Sequence, residues 1–236
     1  MNKIKAFFNY FSRFELILWG SSTALIITAY LIFDRGSVLS LIASVIGVAG
    51  LIFNAKGNPV GQGLFIIFSI LYTIISFGFA YYGEMITYLG MSLPMAIISL
   101  VGWLRNPFKN SSAEVTVGTV KKNDVILLAI LTAAVTVSFY FILGYFNTAN
   151  LIPSTLSVAT SFAAAFLTYK RSPWFALLYA LNDAVLIVLW TLALFENLTY
   201  VCVVVCFVAF LFNDSYAFFN WQKIRTRQAA EKAKEQ

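Results

Sequence analysis

Eight apolar stretches, each close to the length that crosses a membrane, constrain this chain of 236 residues more than any other feature. A helix needs about 20 mostly apolar residues to span the hydrocarbon core of a bilayer. The stretches cover residues 14–33, 37–54, 61–82, 84–104, 124–146, 152–169, 173–195 and 197–221. Because the connections between them are short, we predict an all-α membrane protein: one transmembrane domain, residues 1–236, with eight transmembrane helices in the lipid bilayer.

The composition supports this prediction and excludes several functions. Hydrophobic residues make up 60% of the chain and charged residues 11%, whereas a soluble domain has about 45–50% apolar and about 25% charged residues. The chain contains no histidine, which excludes Ser-His-Asp and Cys-His catalysis and histidine-bound metals. Cys202 and Cys206 lie four residues apart in an apolar stretch, where small apolar packing explains them better than a disulfide. We therefore predict no enzyme activity, no metal and no cofactor.

The positive charges fall on one side of the predicted topology. Fifteen of the sixteen Lys and Arg residues lie at the two termini or in the second, fourth and sixth connections, and Arg35 alone lies on the other side. Positive residues accumulate on the cytoplasmic side of membrane proteins. We therefore predict a multi-pass plasma-membrane protein with both termini, including the tail 222–236, in the cytoplasm. The net charge of +6 then reflects membrane orientation and not nucleic-acid binding.

An internal repeat with an offset of 114 residues links the two halves of the chain. Loops of the form Lys-x-x-Pro occur at residues 56–59 and 170–173. The same offset aligns small or polar residues at helical spacing on the second span (Ser40, Ala43, Gly47, Gly50, Asn54) and the sixth span (Ser154, Ser157, Ser161, Ala164, Thr168). Spans four apart point the same way across a membrane, so we predict a parallel repeat.

A parallel repeat predicts a 3+1+3 arrangement. Residues 37–104 form the first three-helix repeat, residues 124–146 the linker span and residues 152–221 the second repeat, while residues 14–35 form an extra N-terminal span. This is the arrangement of SWEET-type transporters, which bind substrate near the bilayer midplane between the two repeats. The alternative is that the small residues only let the helices pack closely.

Two acidic residues, Asp183 and Asp214, fall within the apolar stretches, whereas the other acids, including Glu84, fall at stretch ends or in loops. Carboxylates inside a membrane face a cavity or a partner. The neighbouring faces carry aromatic and amide residues, namely Tyr179, Asn182, Trp190, Asn213 and Tyr216. Such a set suits a planar, polar or cationic ligand and does not suit a phosphate, which needs Arg, Lys or a helix N-terminus.

These residues also have structural interpretations. Either carboxylate could hydrogen-bond a neighbouring helix instead of a ligand. Trp103, Trp190 and Trp221 lie near span ends, where tryptophan often anchors a helix at the membrane surface.

At these positions the sequence resembles the PnuC family of vitamin transporters. The resembling segments are residues 54–82, the Gly-Glu-Met turn at 83–85, YALNDAVLIVLW at 179–190 and NDSYAFFNW at 213–221. The resemblance implies a SWEET-like core, a homotrimer and import of nicotinamide riboside by facilitated diffusion. It places aromatic and amide binding positions at Gln62, Tyr72, Asn182, Trp190, Asn213 and Tyr216.

Other interpretations stay open from the sequence alone. Relatives in this family carry thiamine or riboflavin, whose flat rings would suit the same residues. A proton-coupled symporter that uses Asp183 is a second alternative. An intramembrane enzyme would need a base that this histidine-free chain lacks, and a scaffold without transport activity would not need two aligned polar stripes.

Overall fold

The computed structural model describes residues 9–78, 81–109, 111–195 and 197–235. Within this part of the chain, eight helices are long and apolar enough to cross a membrane, which confirms the predicted all-α membrane fold. They are α1 (Arg13–Phe33), α2 (Val38–Ala55), α3 (Val60–Gly78), α4 (Tyr82–Leu104), α5 (Lys122–Tyr145), α6 (Leu151–Tyr169), α7 (Trp174–Ala193) and α8 (Val201–Ala233). Lys3 and Lys5, two of the fifteen basic residues assigned to one side, and Glu196, one of the acids at stretch ends, lie outside the described residues.

Two helices depart from the predicted spans. α8 continues to Ala233, about three turns beyond the predicted end at residue 221, because residues 222–233 are mostly good helix formers such as Ala, Glu, Lys, Arg and Gln. α4 contains a π-helical turn at Tyr88–Ser92, in which the amide of Leu93 donates to the carbonyl of Tyr88. A π turn holds one residue more than a regular turn.

The helices form two groups of three that face each other. In the first group α2 packs on α3 and α3 on α4, and in the second group α6 packs on α7 and α7 on α8. The third helix of each group packs on the first helix of the other group, as α4 on α6 and α8 on α2. α1 lies against α2 and α8, and α5 lies against α6.

The two Lys-x-x-Pro loops close their preceding helices in the same way. Gly57 and Arg171 both adopt left-handed backbone angles, with φ of 66° and 54°. The next amides, of Asn58 and Ser172, both donate to a carbonyl five residues back at 3.0 Å, as in the Schellman cap of a helix C-terminus. These residues are 114 positions apart, so the predicted offset has a local structural counterpart; the complete 3+1+3 repeat stays a prediction.

We call the end of the bundle that carries loops 56–59, 105–121 and 170–173 the basic end. There the stretch between α4 and α5, expected from the sequence only as a connection, forms an antiparallel hairpin of β1 (Pro107–Phe108) and β2 (Ser111–Val115). The side chain of Gln228, in the extension of α8, donates to the carbonyl of Val115 at 3.0 Å and accepts from the amide of Val117 at 2.8 Å. The extension of α8 therefore supports the hairpin.

Candidate functional site

A cavity with a volume of about 190 Å³ lies between the two groups of helices. Every helix of both groups contributes to its wall. The polar and ionisable residues of the wall are Asn54, Gln62, Ser69, Tyr72, Glu84, Thr87, Tyr88, Ser92, Ser99, Thr148, Ser154, Ser157, Ser161, Tyr179, Asn182, Asp183, Trp190 and Asp214. Among the described residues, no Lys or Arg lines it.

Most of the predicted site residues lie together on this wall. They are Gln62, Tyr72, Tyr179, Asn182, Asp183, Trp190 and Asp214. They come from α3 in the first group and from α7 and α8 in the second, and α3 meets the other two because the two groups of helices face each other.

Carboxyl groups form the most polar part of the wall. Asp183 on α7 and Asp214 on α8 are both buried, and their side chains interact with each other. The Oδ2 atom of Asp183 has no hydrogen-bond partner within the described residues. Two neighbouring carboxylates in an apolar environment repel each other unless a proton or a cationic group lies beside them. This part of the cavity therefore favours a cation or a proton.

Two amide side chains on the wall are held in place by neighbours. Gln62 donates from Nε2 to Oδ1 of Asn54 at 2.9 Å, and both residues are buried. Oδ1 of Asn182 accepts a hydrogen bond from Thr160 at 2.9 Å. Amides fixed in this way offer donors and acceptors in defined directions, as recognition of hydroxyl or carboxamide groups requires.

Aromatic rings form a further part of the wall. Tyr72 lies 4.5 Å from Phe68 and 5.0 Å from Tyr88 between ring centroids, with interplanar angles of 36° and 35°. Trp190, on α7, packs on Tyr200 with 5.1 Å between ring centroids. Such rings stack on flat ligands and attract cations through their faces.

Asn213 and Tyr216, predicted as site residues, do not line the cavity. Nδ2 of Asn213 donates to Oγ of Ser22 on α1 at 2.9 Å. The Tyr216 hydroxyl donates to Glu15 on α1 at 2.9 Å. Both side chains lie on the face of α8 that α1 covers, so they attach the extra N-terminal helix. Nothing in the sequence indicates which face of α8 meets α1.

Glu84 and a row of serines line the cavity although the sequence did not indicate them as binding residues. Glu84 lies in the first turn of α4, at the span end as expected, and it also lines the cavity. Ser154, Ser157 and Ser161 also line the wall. Their helical spacing marked them as one stripe, and only the packing of α6 shows that this stripe faces the cavity.

Trp103 and Trp221 are fully buried, so they are not anchors at the membrane surface. Nε1 of Trp103 on α4 donates to the carbonyl of Thr168 on α6 at 2.9 Å, and Nε1 of Trp221 on α8 donates to the carbonyl of Asn54 on α2 at 2.7 Å. The two acceptors are 114 residues apart. The two indoles therefore link the two groups of helices reciprocally.

The same tryptophans close the basic end of the cavity. Their ring centroids lie 5.5 Å apart, and Phe175 packs edge-on to Trp221 at 5.0 Å. Trp103 and Phe175 each lie one helical turn from the cavity-lining residues Ser99 and Tyr179, on the side of the basic end.

Comparisons with known proteins agree with this architecture. The family model described as "Nicotinamide mononucleotide transporter" matches residues 37–223. A protein from Neisseria mucosa, named as the nicotinamide riboside transporter PnuC, is 26% identical over 205 residues, which are 85% of this chain and 78% of that protein. A crystal structure of the vitamin B3 transporter PnuC superposes with a TM-score of 0.78 at 22% identity, covering 92% of this chain and 94% of that one.

The family match covers more than three quarters of the chain, including every described residue that lines the cavity. The structural match covers nearly the whole chain and shows the same fold. The homologous proteins are transporters and not enzymes. The chain therefore belongs to the PnuC family of membrane transporters, described by its family model as nicotinamide mononucleotide transporters.

Proposed function

We propose that this protein imports nicotinamide riboside across the plasma membrane by facilitated diffusion through the cavity. The observation that carries the proposal is the composition of the cavity wall: three carboxyl groups, amides and aromatic rings, with no Lys or Arg among the described lining residues. The family description names a nucleotide and the Neisseria relative a nucleoside, and these two compounds differ by one phosphate group.

The wall distinguishes between the two compounds by charge. A bound phosphate requires Arg, Lys or the N-terminus of a helix. Glu84, Asp183 and Asp214 would instead repel it when ionised. The riboside carries a pyridinium cation, which the carboxyl pair would balance, a flat ring, which Tyr72 or Trp190 would stack on, and a ribose and a carboxamide, which Asn54, Gln62 and Asn182 would hydrogen-bond.

The proposed transport cycle uses the two groups of helices as the two units of a 3+1+3 core, as in SWEET-type transporters. The indoles of Trp103 and Trp221 hold the basic end closed, whereas Glu84, Thr148 and Ser154 line the cavity toward the opposite end. Release into the cytoplasm, which we assign to the basic end from its charge, requires the two indole hydrogen bonds to break. The family resemblance also predicts a homotrimer, which the mass of the purified complex would test.

Proteoliposomes with no ATP and no ion gradient test the proposal directly. Labelled nicotinamide riboside should equilibrate across the membrane, and nicotinamide mononucleotide, thiamine and riboflavin should enter at least about tenfold more slowly. Entry of the mononucleotide at the rate of the riboside would contradict the charge argument. Preferred entry of thiamine or riboflavin would assign the protein to a different vitamin.

Proton-coupled symport is a second candidate, and the neighbouring carboxyl groups of Asp183 and Asp214 favour it. Under this hypothesis, an imposed proton gradient drives the riboside above its equilibrium level. Asp183→Asn would abolish that accumulation while exchange of labelled for unlabelled substrate continued. Uptake that stops at equilibrium under the gradient leaves facilitated diffusion as the mechanism.

A further inference from the structure

A second concavity opens on the outer surface of the bundle at the basic end and shares no lining residue with the transport cavity. It has a volume of about 700 Å³. α4, the polar segment before α5, and the loop after α6 form its walls. We call it the lateral groove.

One wall of the lateral groove is apolar and exposed. Ile97, Ile98 and Val101 on α4 line it, with 44%, 47% and 40% of their surfaces accessible. These residues lie four to eight positions before the start of the hydrophilic segment at Arg105, which is about 6–12 Å along a helix axis. In a membrane, this wall faces the outer part of the acyl-chain region, next to the headgroups.

The other wall is basic. Arg105, Lys121, Lys170 and Arg171 line it together with a single acid, Asp124. Asp124 pairs with Lys170 at 2.7 Å. Among the described residues, the other three cations form no ion pair. The lateral groove therefore carries uncompensated positive charge beside an apolar wall.

Arg171 is fixed in position without a carboxylate partner. Its Nε donates to the carbonyl of Thr116 at 3.1 Å, and its Nη1 lies 3.5 Å from the carbonyl of Gly102. Burial lowers the pKa of its guanidinium. An anion that approaches from outside would stabilise such a cation, because the cation is partly desolvated and only neutral carbonyl groups hold it.

We propose that the lateral groove binds an anionic phospholipid, with the phosphate at Arg105, Lys121 and Arg171 and an acyl chain along Ile97, Ile98 and Val101. Basic pockets between helices on the cytoplasmic side of membrane proteins suit such headgroups. A free phosphate would leave the apolar wall unused. The amide of Gly118 donates to the carbonyl of Arg171 at 3.0 Å, so the floor of the groove joins the segment after α4 to the loop after α6. A bound lipid would contact both groups of helices.

Native mass spectrometry of the full-length protein in detergent tests the site. Phosphatidylglycerol should bind at least about tenfold more tightly than phosphatidylcholine, since each basic residue near an anionic headgroup contributes several-fold. The double variant Arg105→Gln/Lys121→Gln should bind phosphatidylglycerol about tenfold more weakly. Both residues are exposed, so the variant should fold. The matched control Lys223→Gln/Arg225→Gln removes two exposed charges from the same end of the bundle and should bind normally.

Several outcomes would overturn the proposal. Equal affinity for the two lipids would show that the groove does not select an anionic headgroup. An equal loss of phosphatidylglycerol affinity in the groove variant and in the control would show only a general attraction of anionic lipid to the basic end. Full competition by inorganic phosphate at the same affinity would assign the site to a free anion. Efficient disulfide crosslinking of an Ile98→Cys variant between copies in the membrane would show that a second copy of the chain fills the lateral groove.

Discussion

The two helices that begin the two groups, α2 and α6, carry aligned stripes of small residues and use them differently. On α2, a Cβ atom added at Gly47 would lie 2.6 Å from a ring atom of Phe210 and 2.9 Å from one of Phe68. On α6, Ser157 and Ser161 line the cavity. The α2 stripe thus admits neighbouring aromatic rings, as the packing interpretation expects, whereas the α6 stripe presents hydroxyl groups to the cavity.

This difference extends to the whole cavity. The first group contributes the rings of Phe68, Tyr72 and Tyr88, and the second contributes the carboxyl pair Asp183 and Asp214. The first group therefore supplies a cluster of neighbouring rings, and the second supplies Trp190 and the carboxyl pair, which we call the charged wall. Residues at equivalent positions should differ in whether their replacement affects transport or stability.

The largest effect should come from the charged wall. Asp183→Asn removes the charge that we expect to balance the substrate cation, and uptake of riboside should fall about a hundredfold. This corresponds to about 2.7 kcal/mol, in the range for a hydrogen bond to a charged group. Initial uptake rates in proteoliposomes measure it. Asp34→Asn, in the connection between α1 and α2, is the matched control. A similar loss of uptake in the control would show that the effect is not specific to the charge of Asp183.

Replacing one residue in each small stripe tests the comparison directly. Gly47→Val should destabilise the protein by about 1–3 kcal/mol, because the added methyl groups would overlap Phe210 and Phe68. Ser161→Ala should leave the thermal transition unchanged and weaken riboside binding. Thermal unfolding in detergent, with and without riboside, measures both effects. Equal destabilisation by both substitutions would mean that the α6 stripe also serves packing.

The indole hydrogen bonds should behave alike in the two groups. Trp103→Phe and Trp221→Phe each keep an aromatic ring and lose one hydrogen bond, so each should destabilise the protein by about 1 kcal/mol. Amide hydrogen exchange should rise in both Lys-x-x-Pro loops, next to the acceptors Thr168 and Asn54. An increase in only one loop would show that the two links are not equivalent.

The smallest effect on binding should come from the face of α8 that α1 covers. Asn213→Ala should leave riboside affinity within experimental error, since its side chain bonds to Ser22 on α1. Asn182→Ala, on the cavity wall, should weaken affinity by about 1 kcal/mol. Isothermal titration compares the two variants. A larger loss for Asn213→Ala would indicate that α1 participates in binding.

Much of the fold followed from the sequence because membranes impose strict rules on length and hydropathy. The eight spans could be predicted because each is a stretch of about 20 mostly apolar residues. The carboxylates Asp183 and Asp214 were found because charge is rare in such stretches. Both signals are local, so a single sequence is enough to detect them.

The placements that the sequence did not indicate depend on packing between helices. Asn213 and Asp214 are adjacent in sequence, but one side chain faces α1 and the other the cavity. Trp103 and Trp221 lie near the ends of their apolar stretches, yet each is buried against the opposite group of helices. No periodicity within one helix shows which neighbour covers each face.

The π-helical turn of α4 sets the rotational phase of that helix along its length. Glu84 and Trp103 are 19 residues apart, which in a regular α-helix would separate their directions by about 100°. The additional residue held by the π turn at Tyr88–Ser92 offsets about that angle. One irregular turn therefore allows a single helix to present an acid near one end of the cavity and an indole near the other, both in about the same direction.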